Sequence, residues 1–263
     1  GTIKTWKVAA TGFSQNYTGH GGYVAGLDFS PDGTLLVSGS SDKTVRLWDT
    51  KTNKVIRTLS TQPSQVYAVA FSPDGKFVLS GGADKTVRLI NVVTGVEVRK
   101  YSGPTQPVYS VAFSPDGKTI VSNTVKGVEM FDAMNGTSKQ TFSIDGTQVR
   151  CVVFSPTGER LLMGGTNGTI VVWDVKSGEV VQRLNGHSGS VTGVAYSSDN
   201  RRIASCAGDG TVRLWDTASG QLTMVLDKQA TYFTSVSFSR DGKSIVAGCG
   251  DGTTKIWSMV PRQ

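Results

Sequence analysis

The sequence predicts an all-β protein built from near-copies of one four-stranded antiparallel sheet. Three observations predict it. An aromatic column at Phe29, Phe71, Phe113, Phe154, Tyr196 and Phe238 recurs every 42 or 41 residues. A second column, Trp6, Trp48, Ile90, Phe131, Trp173, Trp215 and Trp257, keeps the same spacing and holds all five tryptophans. Within each unit the apolar residues alternate with period two, the signature of strands rather than helices.

The first complete unit shows the elements in order. "YVAGLDFS" (23–30) alternates, and "LLVSGS" (35–40) follows the turn "PDG". "KTVRLWD" (43–49) follows the turn "SD", and "KVIRTLS" (54–60) follows "KTN". Four short β-branched strands joined by tight turns make a meander. The chain opens on "GTIKTW" (1–6), a third-strand phrase, with a fourth strand at about 13–18. The units are therefore a partial one at 1–18 and then 19–60, 61–102, 103–143, 144–185, 186–227 and 228–263, all in one domain spanning 1–263. Repetition of such sheets predicts a radial arrangement, a β-propeller. Giving "GTIKTW" its own incomplete blade implies seven blades, with roughly 30–40 residues upstream by the repeat length. If residues 13–18 instead complete the last blade, there are six.

Composition narrows the function. With 38% apolar and 18% charged residues the balance is that of a soluble domain, and no apolar run is long enough to span a bilayer. Cys151, Cys206 and Cys249 form no CxxC pair and read as buried fillers, which suits a reducing compartment, the cytoplasm or nucleus rather than a secreted setting. No hydrolase, metalloprotease or phosphate-loop motif stands in a supporting context, and no Cys/His cluster has zinc spacing, so neither catalysis nor a metal or other cofactor is expected. The net charge of +7 is scattered. Lys43, Arg46, Lys85, Arg88, Arg213 and Lys255 recur near the third strand, where they read as solvated edge charges. A phosphate-binding strip is the alternative.

The chain resembles the WD40 family. The resemblance rests on "GH" at 19–20 and 186–187, "FSPDG" at 29–33, 71–75 and 113–117, and "WD" at 48–49, 173–174 and 215–216, and it covers the whole chain. It implies a hydrogen-bonded tetrad, here His20, Ser38, Asp42 and Trp48 in the first complete unit and His187, Ser205, Asp209 and Trp215 in the fifth. Those are the only two histidines, so the resemblance uses both structurally. Other units depart from the pattern: Gln62 and Ile90 in the second, Pro104 and Phe131 in the third, Asp145 and Asn167 in the fourth, Gln229 and Ala247 in the sixth. Those units are expected to be held by packing alone and to be softer.

The resemblance also implies a partner-binding rim, at positions three and five places after the His column. They hold Tyr23 and Ala25, Gln65 and Tyr67, Pro107 and Tyr109, Gln148 and Arg150, Ser190 and Thr192, and Tyr232 and Thr234. Four of the seven tyrosines fall there, and Tyr and Arg often dominate interface energetics. Tyrosine also favours strand starts on its own account, which is the structural alternative. The expected function is a non-enzymatic scaffold for protein–protein interaction, gripping a peptide or loop on Tyr23, Gln65, Tyr67, Tyr109, Gln148, Arg150, Thr192, Tyr232 and Thr234. The alternatives are a nucleic-acid or acidic partner on the basic surface, or the sensor half of a larger multidomain protein.

Overall fold

A computed structural model describes residues 1–6, 13–124, 127–144 and 146–259. Asp145, expected in the His column of the fourth repeat, lies outside the described residues. The chain divides into two compact units, Gly1–Thr141 and Phe142–Gln263.

The first unit begins with an antiparallel hairpin, β1 (Thr2–Trp6) with β2 (Phe13–Thr18). A four-stranded sheet follows: β3 (Val24–Phe29), β4 (Leu35–Ser40), β5 (Thr44–Asp49) and β6 (Val55–Thr61). Next come β7 (Val66–Phe71), β8 (Phe77–Gly82), β9 (Val87–Asn91) and β10 (Glu97–Tyr101), then β11 (Val111–Phe113), β12 (Thr119–Thr124), β13 (Gly127–Asp132) and β14 (Ser138–Phe142). The second unit holds β15 (Val149–Phe154), β16 (Arg160–Gly165), β17 (Ile170–Asp174) and β18 (Val180–Leu184); β19 (Val191–Tyr196), β20 (Arg202–Ala207), β21 (Thr211–Asp216) and β22 (Leu222–Lys228); and a last sheet of three described strands, β23 (Phe233–Phe238), β24 (Ser244–Cys249) and β25 (Thr254–Ser258).

These sheets are meanders, each strand pairing with its neighbours in sequence. The count is six, not the seven expected. The reason lies in the hairpin. Among the described residues β1 pairs only with β2, and Ile3 and Tyr17 are buried against Leu36 and Trp48 of the first sheet. The hairpin thus covers that sheet instead of founding a further one.

Within each unit, cores form where successive sheets face each other. Val37, Val45 and Leu47 of the first sheet meet Val66, Val69 and Val78 of the second. In the second unit Leu162 and Val172 meet Val191 and Trp215. β3 departs from this pattern. Leu27 and Phe29 are 49% and 50% exposed, where Val69 and Phe71 of β7 are 8% and 7%. Cys151, Cys206 and Cys249 are free and buried; burial pushes the Cys206 thiol up to about 12.

Three turns recur along the sheets, and each described copy puts one residue in the left-handed region. After the first strand, Ser30 donates to Asp32 at 2.6 Å, as Ser72, Ser114, Ser197 and Ser239 do to Asp74, Asp116, Asp199 and Asp241. The left-handed residue is Gly33, Gly75, Gly117, Gly158 or Gly242, and Asn200 in the fifth sheet. After the third strand the column holds Asn53, Gly95, Gly136, Gly178 and Gly220. Glycine and asparagine are the residues that tolerate this conformation. Between the second and third strands the pattern breaks. Gly168, Gly210 and Gly252 fill the position in the last three sheets, but Lys43 (φ 71°) and Lys85 (φ 63°) fill it in the first two. A side chain with a Cβ and no local polar group costs about 1–2 kcal/mol there.

Candidate functional site

The two tetrads are closed networks. In the first sheet His20 Nδ1 lies 2.8 Å from Asp42 Oδ2 and His20 Nε2 lies 2.6 Å from Ser38 Oγ. The Trp48 indole N–H donates to the same Ser38 oxygen at 2.7 Å. Asp42 also accepts from the Gly21 and Thr44 amides and from the Thr44 hydroxyl. The fifth sheet repeats this with His187, Asp209, Ser205 and Trp215 at 3.0, 2.7 and 2.8 Å. A neutral imidazole suits this order of donors, with Nδ1–H facing the carboxylate and Nε2 accepting the serine proton. Both imidazoles are consumed by the sheet, which leaves neither as a general base.

Burial lowers the pKa of both histidines below 6.5, against the opposing pull of their carboxylate partners. Burial alone would raise Asp209, but the Thr211 hydroxyl, the Ser188 amide and His187 hold it down to about 2. The linkage has one sign. The unfolded chain takes up protons that the native histidines exclude, so stability is full above pH 6.5 and falls below it. Asp209 adds to the loss as pH falls below 3.8 towards 2. Stability from urea titrations will therefore fall as pH is lowered below about 6.5. His187→Gln will shallow that slope; an unchanged slope would contradict the buried neutral imidazole.

One departure from the tetrad is rebuilt rather than left to packing, which corrects the expectation for the second sheet. Gln62 Nε2 donates to Ser80 Oγ at 2.6 Å, standing in for the imidazole. Its Oε1 accepts from Arg88, which also reaches Asp84 at 2.5 Å and Glu97 at 3.1 Å. Arg88 is only 5% exposed. It is therefore not the solvated edge charge expected, because Gln62 and two carboxylates draw it inward. In the third sheet Asn123 Oδ1 accepts from the Tyr109 and Ser110 amides at 2.7 and 3.0 Å and its Nδ2 donates to Pro107, fixing the segment before the short β11. The fourth sheet carries Met163 where the first, second, third and fifth carry serine, a departure the sequence reading overlooked. The buried Trp173 indole N–H finds no acceptor among the described residues. In the sixth sheet Gln229 donates to Asp227, which pairs with Lys255.

The rim positions of the first unit form one connected surface. The Tyr23 and Tyr67 hydroxyls both donate to Gln65 Oε1, at 3.0 and 3.1 Å. Tyr67 stacks on Tyr109, centroids 5.3 Å apart and planes 12° from parallel. Tyr23 is 58% exposed, and Gln65, Tyr67 and Tyr109 are half-buried. The links between Tyr23, Gln65 and Tyr109 run from one sheet to the next, which a reading by columns did not anticipate. In the second unit Tyr232 is exposed and its ring lies against Gly250, where no Cβ would fit. Gln148 is exposed and Arg150 half-buried. Thr192 donates to the Phe233 carbonyl at 2.6 Å and Thr234 to the Gly248 carbonyl at 3.1 Å, so both hydroxyls are engaged within the fold.

The opposite end of the sheets in the first unit carries a cleft of about 400 Å³, walled by Phe77, Phe113, Asp74 and Asp116. Its carboxylates already accept from Ser72 and Ser114 and from the Lys76 and Lys118 amides. Among the described residues no group of three His, Cys, Asp or Glu could hold a metal ion, and no helix is long and apolar enough to cross a membrane.

The family model described as "WD domain, G-beta repeat" matches residues 12–49, 53–91, 95–125, 136–174, 178–216 and 220–258. The chain is 29% identical over 200 residues to the WD repeat-containing protein VIP3 of Arabidopsis thaliana, covering 71% of this chain and 50% of that protein. It is 40% identical over 58 residues to the small ribosomal subunit protein RACK1 of Drosophila melanogaster, 22% of this chain and 18% of the relative. It is 54% identical over 41 residues to the transcription initiation factor TFIID subunit 5 of Caenorhabditis elegans, 16% and 6% respectively. The chain thus spans half or less of each of these relatives. Six matched repeats, which together cover most of the chain, place it in the WD40 family.

Proposed function

We propose that this chain is an interaction scaffold that holds an extended segment of a partner protein against Tyr23, Gln65, Tyr67 and Tyr109. One observation carries the reading: Gln65 Oε1 ties two tyrosine hydroxyls while Tyr67 stacks on Tyr109. The rings are ordered before any partner arrives, so binding forfeits little side-chain entropy. Tyrosine offers a flat apolar face with a polar tip, suited to a peptide backbone. With its oxygen occupied by both hydroxyls and no acceptor for its N–H groups among the described residues, the Gln65 amide can donate to a partner carbonyl. Membership of a repeat family with relatives named as subunits of larger assemblies agrees with a scaffold role. Tyr232, Gln148 and Arg150 are a separate candidate contact on the second unit.

Selection from a displayed library of random linear peptides tests the reading. Peptides enriched on the wild type will lose about 10-fold or more in affinity for Tyr67→Ala and for Tyr109→Ala, with melting temperatures close to wild type. Enriched peptides that bind both variants as well as wild type would refute it.

A further inference from the structure

We infer that the partner segment seated on the Tyr23–Gln65–Tyr67–Tyr109 surface is acidic, and that Lys43 and Lys85 meet its carboxylates. This rests on the aromatic seat proposed above and adds the chemistry of the occupant.

The backbone supplies the first argument. Of the three turn columns that demand a left-handed residue, two are filled by glycine or asparagine wherever described. The third holds glycine in the last three sheets and lysine in the first two. Those two sheets carry Tyr23, Gln65 and Tyr67. Strain held at a surface turn where glycine would relieve it points to a use for the side chain.

The second argument is charge. Arg46 and Arg213 lie within 4 Å of Asp42 and Asp209, Arg88 pairs with Asp84 and Glu97, and Lys255 pairs with Asp227. Lys43 and Lys85 are exposed and make no ion pair among the described residues. The carboxylates in their own turns are already taken, Asp42 by His20 and Thr44, Asp84 by Arg88 and Thr86. The turns therefore present positive charge with little local compensation.

The third argument is position. The Ser41 amide donates to the Tyr23 carbonyl and the Ala83 amide to the Gln65 carbonyl, both at 2.9 Å. Each lysine sits two residues beyond such a bond, so each cation-bearing turn is fastened to the strand entry that carries the aromatic seat. A segment crossing the tyrosines passes both turns, and acidic side chains on it complete the pairs.

Three fluorescein-labelled peptides test this by anisotropy: alternating glutamate and proline, alternating glutamine and proline, and alternating lysine and proline. Proline keeps each extended and suits an aromatic seat. The glutamate peptide will bind the tightest, and its affinity will fall with added salt. In the double variant Lys43→Asn/Lys85→Asn its affinity will drop about 3- to 10-fold, towards that of the glutamine peptide. The melting temperature will not fall, because asparagine tolerates the left-handed turn. Equal affinity for glutamate and glutamine peptides, lost in Tyr67→Ala and Tyr109→Ala, would overturn the acidic assignment alone. Glutamate binding that survives the tyrosine variants would overturn the aromatic seat and this inference with it. An unaltered affinity in the lysine double variant, or no binding of any peptide, would also overturn the inference.

Discussion

Trp48→Ala will destabilise the chain by about 3–5 kcal/mol, the range for deleting a large buried aromatic. Trp48 is fully buried. Its ring meets Tyr17 edge-on at 5.8 Å and His20 at 5.7 Å, and its indole N–H ends the chain of bonds through Ser38. Alanine would leave a cavity between the hairpin and the first sheet and an unpaired bond on Ser38. The same change at Trp257 will cost less than half as much. Trp257 is only half-buried, and Ala247 stands in its sheet where the serine acceptor would be. Urea unfolding checks both: the midpoint shifts while the slope holds. Equal losses at the two positions would contradict the account.

Gln62→Leu will cost about 2–3 kcal/mol although it keeps the volume. Gln62 is 4% exposed and bridges Ser80 to Arg88. Leucine strands a buried hydroxyl and removes one acceptor from a buried guanidinium, and buried polar groups left without partners cost most of their desolvation. A loss under about 0.5 kcal/mol in the same titration would show that packing alone holds the second sheet, as its departure from the tetrad first suggests.

The fold was legible because its signals are local and repeated. Period-two alternation, Ser–x–Asp–Gly turns and one aromatic per sheet are each readable within a few residues. His20 and His187 were legible for the same reason, since both fall in one column with serine, aspartate and tryptophan at fixed offsets. What escaped depends on contacts between columns. Arg88 reads as a surface charge until Gln62, Asp84 and Glu97 are seen around it. Gln65 reads as a variable rim residue until Tyr23 arrives from 42 positions away. The short β11 depends on Asn123, whose amide oxygen serves two backbone N–H groups of the segment just before it. The blade count escaped because strand phrases identify strands and not the sheet they join, so whether residues 13–18 pair with β1 or complete the last sheet was open until the register of β1 with β2 was known. Lys43 and Lys85 were visible as "DKT" among "DGT" and "NGT", but lysine on a turn reads as solvation unless the sign of φ is known.

Long-range nitrogen–proton spectra of the two imidazoles test the central claim most directly, that the repeated polar side chains are spent inside the sheets while the rim is left for a partner. The account predicts two rings that titrate below 6.5, both carrying the proton on Nδ1 when neutral, with the Trp48 and Trp215 indole protons exchanging only through unfolding. Two rings titrating near 6.5, with indole protons that exchange freely, would contradict it.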